Sequence, residues 1–229
     1  MPVLLFDIDG TLVRSGGSGK AAMDAALGHA FGIAEVKDEV PYSGRTDRAI
    51  ARDLLRVHGI PVTLENERRL TSMYLELLPK ALSEGDGHVC PGIESILNET
   101  RESPAVLLGL LTGNVRHGAR TKLGHFQLWD YFAAGGGFGD DHYERDDVAH
   151  SALREIAEHR KQHLHGEEVW VIGDTPLDVK CARAIGAKVV AVATGWHDYD
   201  ELAACKPDAV FEDMTHAREL VERWMNSGR

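Results

Sequence analysis

Six short apolar runs recur along the chain, and they leave few folds open. They are Val3–Phe6, Ala105–Leu111, Tyr131–Ala134, Val169–Ile172, Val189–Ala193 and Ala209–Phe211. Most are unbroken rather than alternating, as in strands buried on both faces. Between them apolar residues return with helical spacing, at Ile93, Ile96 and Leu97, at Val115, Ala119 and Leu123, and at Ala149, Ala152, Leu153 and Ile156. Strand and helix in alternation predict a doubly wound α/β fold, a parallel sheet with helices on both faces.

Residues 16–86 depart from this rhythm and contain no convincing strand. Ala22, Met23, Ala26, Leu27, Ala30 and Phe31 share one helical face, and Ile50, Leu54 and Val57 another that stops near Gly59. Leu70, Met73, Tyr74, Leu77, Leu78 and Ala81 make a third, with Thr63 placed to cap it. The pattern predicts a helical cap, residues 16–86, inserted into an α/β core made of residues 1–15 and 87–229. Ser15-Gly16-Gly17-Ser18-Gly19 and Gly85-Asp86-Gly87 flank it. Glycine at both crossings suits a hinged lid, or else these are plain surface loops.

A chain of 229 residues that is 43% hydrophobic has material for such a core. Its formal net charge of -11 repels nucleic acid and anionic membranes, so neither is an expected partner. An anion site in such a chain must be a local exception, which a bound cation would supply. Cys90, Cys181 and Cys205 lie far apart, which fits a reducing cytoplasm better than a disulfide framework. The first apolar run lacks a basic start and is broken by Asp7 and Asp9, unlike a signal peptide. No segment approaches the roughly 18 apolar residues of a membrane span.

Chemistry concentrates at the ends of the runs. Phe6-Asp7-Ile8-Asp9-Gly10-Thr11-Leu12 puts two carboxylates at the carboxyl end of the first strand, the edge where open parallel sheets bind ligands. A carboxylate can attack phosphorus. A second can protonate the leaving group and then take a proton from water. Leu111-Thr112-Gly113-Asn114 ends the next core strand before a helix. Its hydroxyl and amides can cradle a phosphate, or Thr112 merely caps the helix. A later strand ends in Ile172-Gly173-Asp174-Thr175-Pro176-Leu177-Asp178. Asp174 there faces the same crevice as Asp7, and such carboxylates suit a hard cation, Mg²⁺. Asp178 stands at capping-box spacing from Thr175, so it caps the helix, backs the metal ligands, or does both.

Together these motifs resemble the haloacid dehalogenase-like hydrolase superfamily, in its phosphoglycolate phosphatase-like branch with a helical cap. The resemblance covers nearly the whole chain. It includes the order of the motifs, the insertion after the first, and the return at Cys90-Pro91-Gly92-Ile93. It implies Asp7 as nucleophile and Asp9 as general acid/base, with the Asp9 carbonyl on Mg²⁺. It further implies Thr112 as the phosphate-binding threonine, Asp174 as the metal-binding acid and Asp178 as its partner. The insertion resembles the family's cap that closes over small substrates.

One motif departs from the family. A lysine usually precedes the next helix, and here Tyr143-Glu144-Arg145-Asp146-Asp147-Val148 has Arg145 in the analogous place. An arginine can hold phosphate oxygens bidentately, or it pairs with neighbouring acids on a loop. The family's dehalogenases lack a carboxylate matching Asp9, and releasing an alcohol from a phosphate requires a proton donor. The expected activity is therefore Mg²⁺-dependent hydrolysis of a small phosphorylated metabolite. A phosphomutase would use the same motifs, and a catalytically silent relative would be expected to lose Asp7 or Asp9. A receiver-type signalling module would carry no cap.

Two weaker signals remain. In Ser43-Gly44-Arg45-Thr46-Asp47, where the family often places a specificity loop, Arg45 reaches an anionic part of the substrate, or Thr46 or Asp47 caps the next helix and leaves Arg45 solvated. His159 and His163 share i,i+4 spacing near His165, as zinc ligands can. Glu158, Arg160, Lys161 and Gln162 around them read instead as a solvated face.

Overall fold

The computed structural model describes residues 1–229 other than 102, 104, 162, 163, 228 and 229. Its strands are β1 (Val3–Phe6), β2 (Val13–Arg14), β3 (His88–Val89), β4 (Leu107–Leu111), β5 (Gly136–Gly137), β6 (Val169–Gly173), β7 (Lys188–Val192) and β8 (Ala209–Phe211). Its helices are α1 (Ser18–Phe31), α2 (Asp47–Val57), α3 (Leu64–Glu84), α4 (Ile93–Arg101), α5 (Arg116–His125), α6 (Arg145–Arg160), α7 (Pro176–Ala184), α8 (Tyr199–Ala204) and α9 (Arg218–Asn226).

Six strands form one parallel sheet in the order β5-β4-β1-β6-β7-β8. Successive side chains of β1 alternate between its faces. Leu4 and Phe6 pack with residues of α4, α5 and α9, while Val3 and Leu5 pack with α6 and α7. Helices on both faces bury every β1 side chain, and this is why the run is continuously apolar. From β1 the chain builds outward to β4 and β5 on one side, then to β6, β7 and β8 on the other. The reversal point lies at the carboxyl end of β1, where a crevice opens in such sheets.

The expected strand at Tyr131–Ala134 is not a strand. A single 3-10 turn spans Trp129–Tyr131, and the edge strand is β5, two residues further on. The apolar run packs against the sheet instead of joining it. Phe132 meets Phe6 edge-on, with ring centroids 6.1 Å apart. Glycine then makes the pairing with β4 possible. Gly136 has φ of 147°, and a Cβ there would lie 2.0 Å from the Leu110 carbonyl oxygen.

The insertion carries α1, α2 and α3, which share a core that includes Met23, Leu27, Ile50, Leu54, Leu70, Tyr74 and Leu78. Val115 at the start of α5 is buried with them. The chain enters and leaves the insertion through β2 and β3, which pair antiparallel as Val13 with Val89 and Arg14 with His88. The Thr63 hydroxyl caps α3, accepting from the Asn66 N–H at 3.2 Å. Thr63→Ala leaves that amide without its partner and is expected to cost about 1 kcal/mol. A urea titration checks this, and an unchanged midpoint would mean water replaces the cap. Among the described residues no helix is long and apolar enough to cross a membrane.

Candidate active site

The carboxyl edge of the sheet gathers the acids. Asp7 follows β1, and its N–H bonds to the Ile172 carbonyl at 2.9 Å, which carries β1 one residue further along β6. Asp174 follows β6. Gly10 turns the chain back over it with φ of 89°, and a Cβ at Gly10 would lie 2.3 Å from Asp174 Oδ2. Thr11, in the same turn, donates to Asp174 Oδ1 at 3.1 Å. Asp178 lies one turn into α7. Asp7, Asp174 and Asp178 each offer an oxygen within 4.8 Å of the others, and all three are buried.

Three buried carboxylates repel one another, and the protein answers with one cation. Arg145, the first residue of α6, is buried between Asp7 and Asp178. It donates from Nη1 to Asp7 Oδ1 at 3.2 Å and from Nη2 to Asp178 Oδ1. Its Nε is buried without a hydrogen-bond partner among the described residues. Asp178 is fully committed, since its Oδ2 accepts from the Thr175 N–H at 3.0 Å and the Thr175 hydroxyl at 2.7 Å. It caps α7 and holds Arg145 at once. Asp7 Oδ2 and Asp174 Oδ2 have no hydrogen bond among the described residues.

The charge balance is incomplete. Burial pushes the Asp7 carboxyl up to about 6, with Asp178 and Asp9 adding to the rise and Arg145 opposing it. Burial likewise raises Asp174 well above the usual carboxylate range, again with Asp178 and Asp7 adding. One guanidinium against three carboxylates leaves negative charge that burial disfavours. Two open carboxylate oxygens in a site short of positive charge fit a hard divalent cation, which takes oxygen ligands and keeps several waters.

Asp9 sits differently. Its side chain is 41% exposed, and its Oδ2 accepts from Lys122 Nζ at 2.6 Å and from Asn114 Nδ2 at 2.8 Å. Its partial desolvation alone would raise its pKa, but Lys122 above all, then Asn114 and Ser15, hold it below the usual carboxylate range. No motif in the sequence marks Lys122 as a site residue. It lies on α5 with its side chain 5% exposed. A signal was present, because Lys122 falls seven residues after Val115 and three after Ala119, on the face that helix buries.

The loop after β4 is only partly open. The Thr112 N–H is used by the Gly137 carbonyl at 3.1 Å, and the Thr112 hydroxyl accepts from Asn114 Nδ2 at 2.8 Å and the Asn114 N–H at 3.3 Å. Among the described residues, the Thr112 hydroxyl proton and the Gly113 N–H have no acceptor. The next amides are taken by carboxylates, Val115 by Asp47 at 2.9 Å and Arg116 by Asp140 at 2.8 Å. Asp47 belongs to the inserted α2, and its own N–H bonds to the Gly113 carbonyl at 2.8 Å. The insertion therefore rests directly on this loop.

Thr46 caps α2, accepting from the Ala49 N–H at 3.1 Å. Arg45 is half-buried and paired within the insertion, away from Asp7, Asp174 and Asp178. It donates to Asp53 Oδ2 at 2.6 Å and to the Pro41 carbonyl at 3.1 Å, both within the insertion. Of the histidines, His159 lies near the end of α6, His165 precedes a 3-10 turn, and His163 is outside the described residues.

The "Putative pyrophosphatase PpaX" of Caldanaerobacter subterraneus subsp. tengcongensis is 26% identical over 231 residues, covering 96% of this chain and 94% of that protein. The phosphoglycolate phosphatase of Vibrio cholerae is 25% identical over 224 residues, covering 96% of each chain. The crystal structure of CbbY from Rhodobacter sphaeroides in complex with phosphate shares the fold, with a TM-score of 0.75, 18% identity, and coverage of 95% of this chain and 96% of that one. Residues 4–183 match the haloacid dehalogenase-like hydrolase family, and with β1, β4 and β6 delivering their acids and threonine to one edge, the chain belongs to it.

Proposed function

We propose that the protein hydrolyses a small phosphomonoester with Mg²⁺, through an aspartyl-phosphate on Asp7. The observation that carries this reading is the pair of open oxygens, Asp7 Oδ2 and Asp174 Oδ2, beside an Arg145 that already bridges Asp7 and Asp178. Asp7 attacks phosphorus as the bond to the leaving oxygen breaks, and Asp9, a carboxylate in the free protein, takes the proton that the phosphomonoester monoanion brings and passes it to the leaving oxygen. Asp9 then takes a proton from water as the water attacks the aspartyl-phosphate, releasing inorganic phosphate and restoring Asp7. Arg145, the Thr112 hydroxyl and the Gly113 amide neutralise the equatorial oxygens. Asp7, Asp174 and the Asp9 carbonyl would hold Mg²⁺, with Asp178 behind them, and the ion would supply positive charge to the phosphoryl group.

In this reading residues 1–15 and 87–229 carry the machinery, and residues 16–86 close over it as a lid. The insertion's own core, which also takes in Val115 and packs against Phe126, and its side-by-side crossings at β2 and β3 support that division. Arg45 would enter the site only by leaving Asp53. The relatives named phosphoglycolate phosphatase make phosphoglycolate the first compound to test.

The test is phosphate release from phosphoglycolate, sugar monophosphates and pyrophosphate, with Mg²⁺ or with EDTA. Release is expected with Mg²⁺ and is expected to stop in EDTA. A labelled aspartyl-phosphate that forms without release would turn the reading to phosphoryl transfer between hydroxyls. Neither labelling nor release from any compound would reject it.

A further inference from the structure

We infer that Lys122 is a positioning residue for the acid/base carboxylate, clamping Asp9 Oδ2 so that only Oδ1 can exchange a proton at the reacting phosphoryl group. The inference rests on the reading of Asp9 given above. Its observations are geometric. Lys122 reaches across from α5 to a residue 113 positions earlier, at 2.6 Å, and Asn114 Nδ2 reaches the same oxygen at 2.8 Å. Asn114 is itself held by the Thr112 hydroxyl. Two donors from α5 and the loop before it therefore fix one oxygen of a side chain that is otherwise 41% exposed.

Burial separates this role from substrate binding. The Lys122 side chain is 5% exposed, so an anionic ligand could reach it only by displacing Asp9 or the insertion. Gly19 in the first turn of α1 lies over it, and a Cβ there would come within 3.3 Å of Nζ. The absence of a side chain at Gly19 leaves room for the ammonium and closes it from solvent. The other acids within electrostatic reach are Asp47 from α2 and Asp7. A buried ammonium is costly unless paired. Here the direct pair is with the one carboxylate whose orientation the chemistry needs, and the Ser15 side chain also lies beside that carboxylate.

Sequestered pairing of this kind predicts a loss that depends on the leaving group. An alkoxide must be protonated as it departs, whereas a p-nitrophenolate departs without help. The quantity to read is kcat/KM, which ends at formation of the aspartyl-phosphate and so excludes the later attack of water. Lys122→Met is expected to lower kcat/KM on the best alkyl phosphomonoester on the order of 10²-fold or more. On p-nitrophenyl phosphate the loss is expected to stay under about tenfold. In an Asp9→Asn background the same change should cost less than about threefold on either ester, since the group it positions is gone.

An equal loss on both esters, or full additivity with Asp9→Asn, would make Lys122 a structural residue and overturn the inference. So would wild-type kcat/KM on the alkyl ester. Lys122→Gln keeps one donor for Asp9, and it carries the same test if the methionine variant does not fold. Activity of the wild-type protein separates the two levels. If the wild type hydrolyses no phosphomonoester in Mg²⁺, the reading of Asp9 fails and takes the inference with it. If the wild type is active and the split is missing, only the inference fails.

Discussion

Asp7→Asn should abolish turnover, by on the order of 10⁴-fold or more, and leave the fold intact. The side chains are nearly the same size, and an amide can still accept from Arg145 Nη1. What disappears is the proposed nucleophile, for which the proposed mechanism has no substitute. Asp174 Oδ1 is held by Thr11 and its open Oδ2 is assigned to Mg²⁺ in this reading, both oxygens of Asp178 are committed, and Asp9 Oδ2 is held by Lys122 and Asn114. Removing a nucleophile that acts as part of one catalytic unit costs about as much as removing the unit. Steady-state rates and trapping of labelled phosphate check the loss. A pure Asp7→Asn protein with wild-type rates would reject the nucleophile.

The same substitution should leave the metal-free protein at least as stable as the wild type at pH 7. Below pH about 3.8 the Asp7 carboxyl is protonated in both folded and unfolded chains, and it contributes nothing. Between about 3.8 and about 6 the folded chain holds a proton that the unfolded chain has released, so stability falls as the pH rises. Above about 6 the whole penalty is present. Asparagine carries no such penalty, so its advantage should shrink as the pH falls toward 4. Thermal melts in EDTA across this range read the effect. A variant less stable than wild type at pH 7 would mean that the Asp7–Arg145 pair outweighs the cost of burial.

What the sequence made legible was whatever lies close together along the chain. Asp7 and Asp9 stand two residues apart at a strand end, and Thr175 and Asp178 fit a capping box, so local pattern suffices for both. The helices of the insertion were readable because each repeats its apolar face over several turns. The losses are long-range. Lys122 meets Asp9, Arg145 bridges Asp7 and Asp178, and Asp47 caps a helix outside its own insertion. Nothing local marks any of these pairings, although a lysine on the apolar stripe of α5 was a visible irregularity. The paired strands β2 and β3 are two residues each, too short for any periodicity. Tyr131–Ala134 was misplaced because an apolar run tells of burial and not of backbone pairing. The strand signal there was the glycine run Gly135-Gly136-Gly137, whose missing side chains let β5 approach β4.

Arg145 offers the second large effect, because in the proposed reading it supports the fold and the chemistry with the same two bonds. Arg145→Met leaves Asp7 and Asp178 buried without their shared partner. Breaking a buried ion pair by removing one member costs about 3–5 kcal/mol, since the remaining charges are uncompensated. The expected result is a loss of that order in the metal-free protein and a smaller one in Mg²⁺, because an ion bound at Asp7 restores part of the missing positive charge. Turnover in Mg²⁺ should fall about 10²–10³-fold, as when one preorganised donor to a developing anion is removed. Arg145→Lys separates the two roles. One ammonium cannot place two nitrogens in the fixed fork with which arginine spans Asp7 Oδ1 and Asp178 Oδ1. It restores the charge but not the bridge, so it should recover most of the stability and only part of the rate. Urea titrations with and without Mg²⁺, run beside kcat and KM for all three proteins, make the comparison. If Arg145→Lys recovers the rate in full, charge alone is what the site requires, and the fork is incidental.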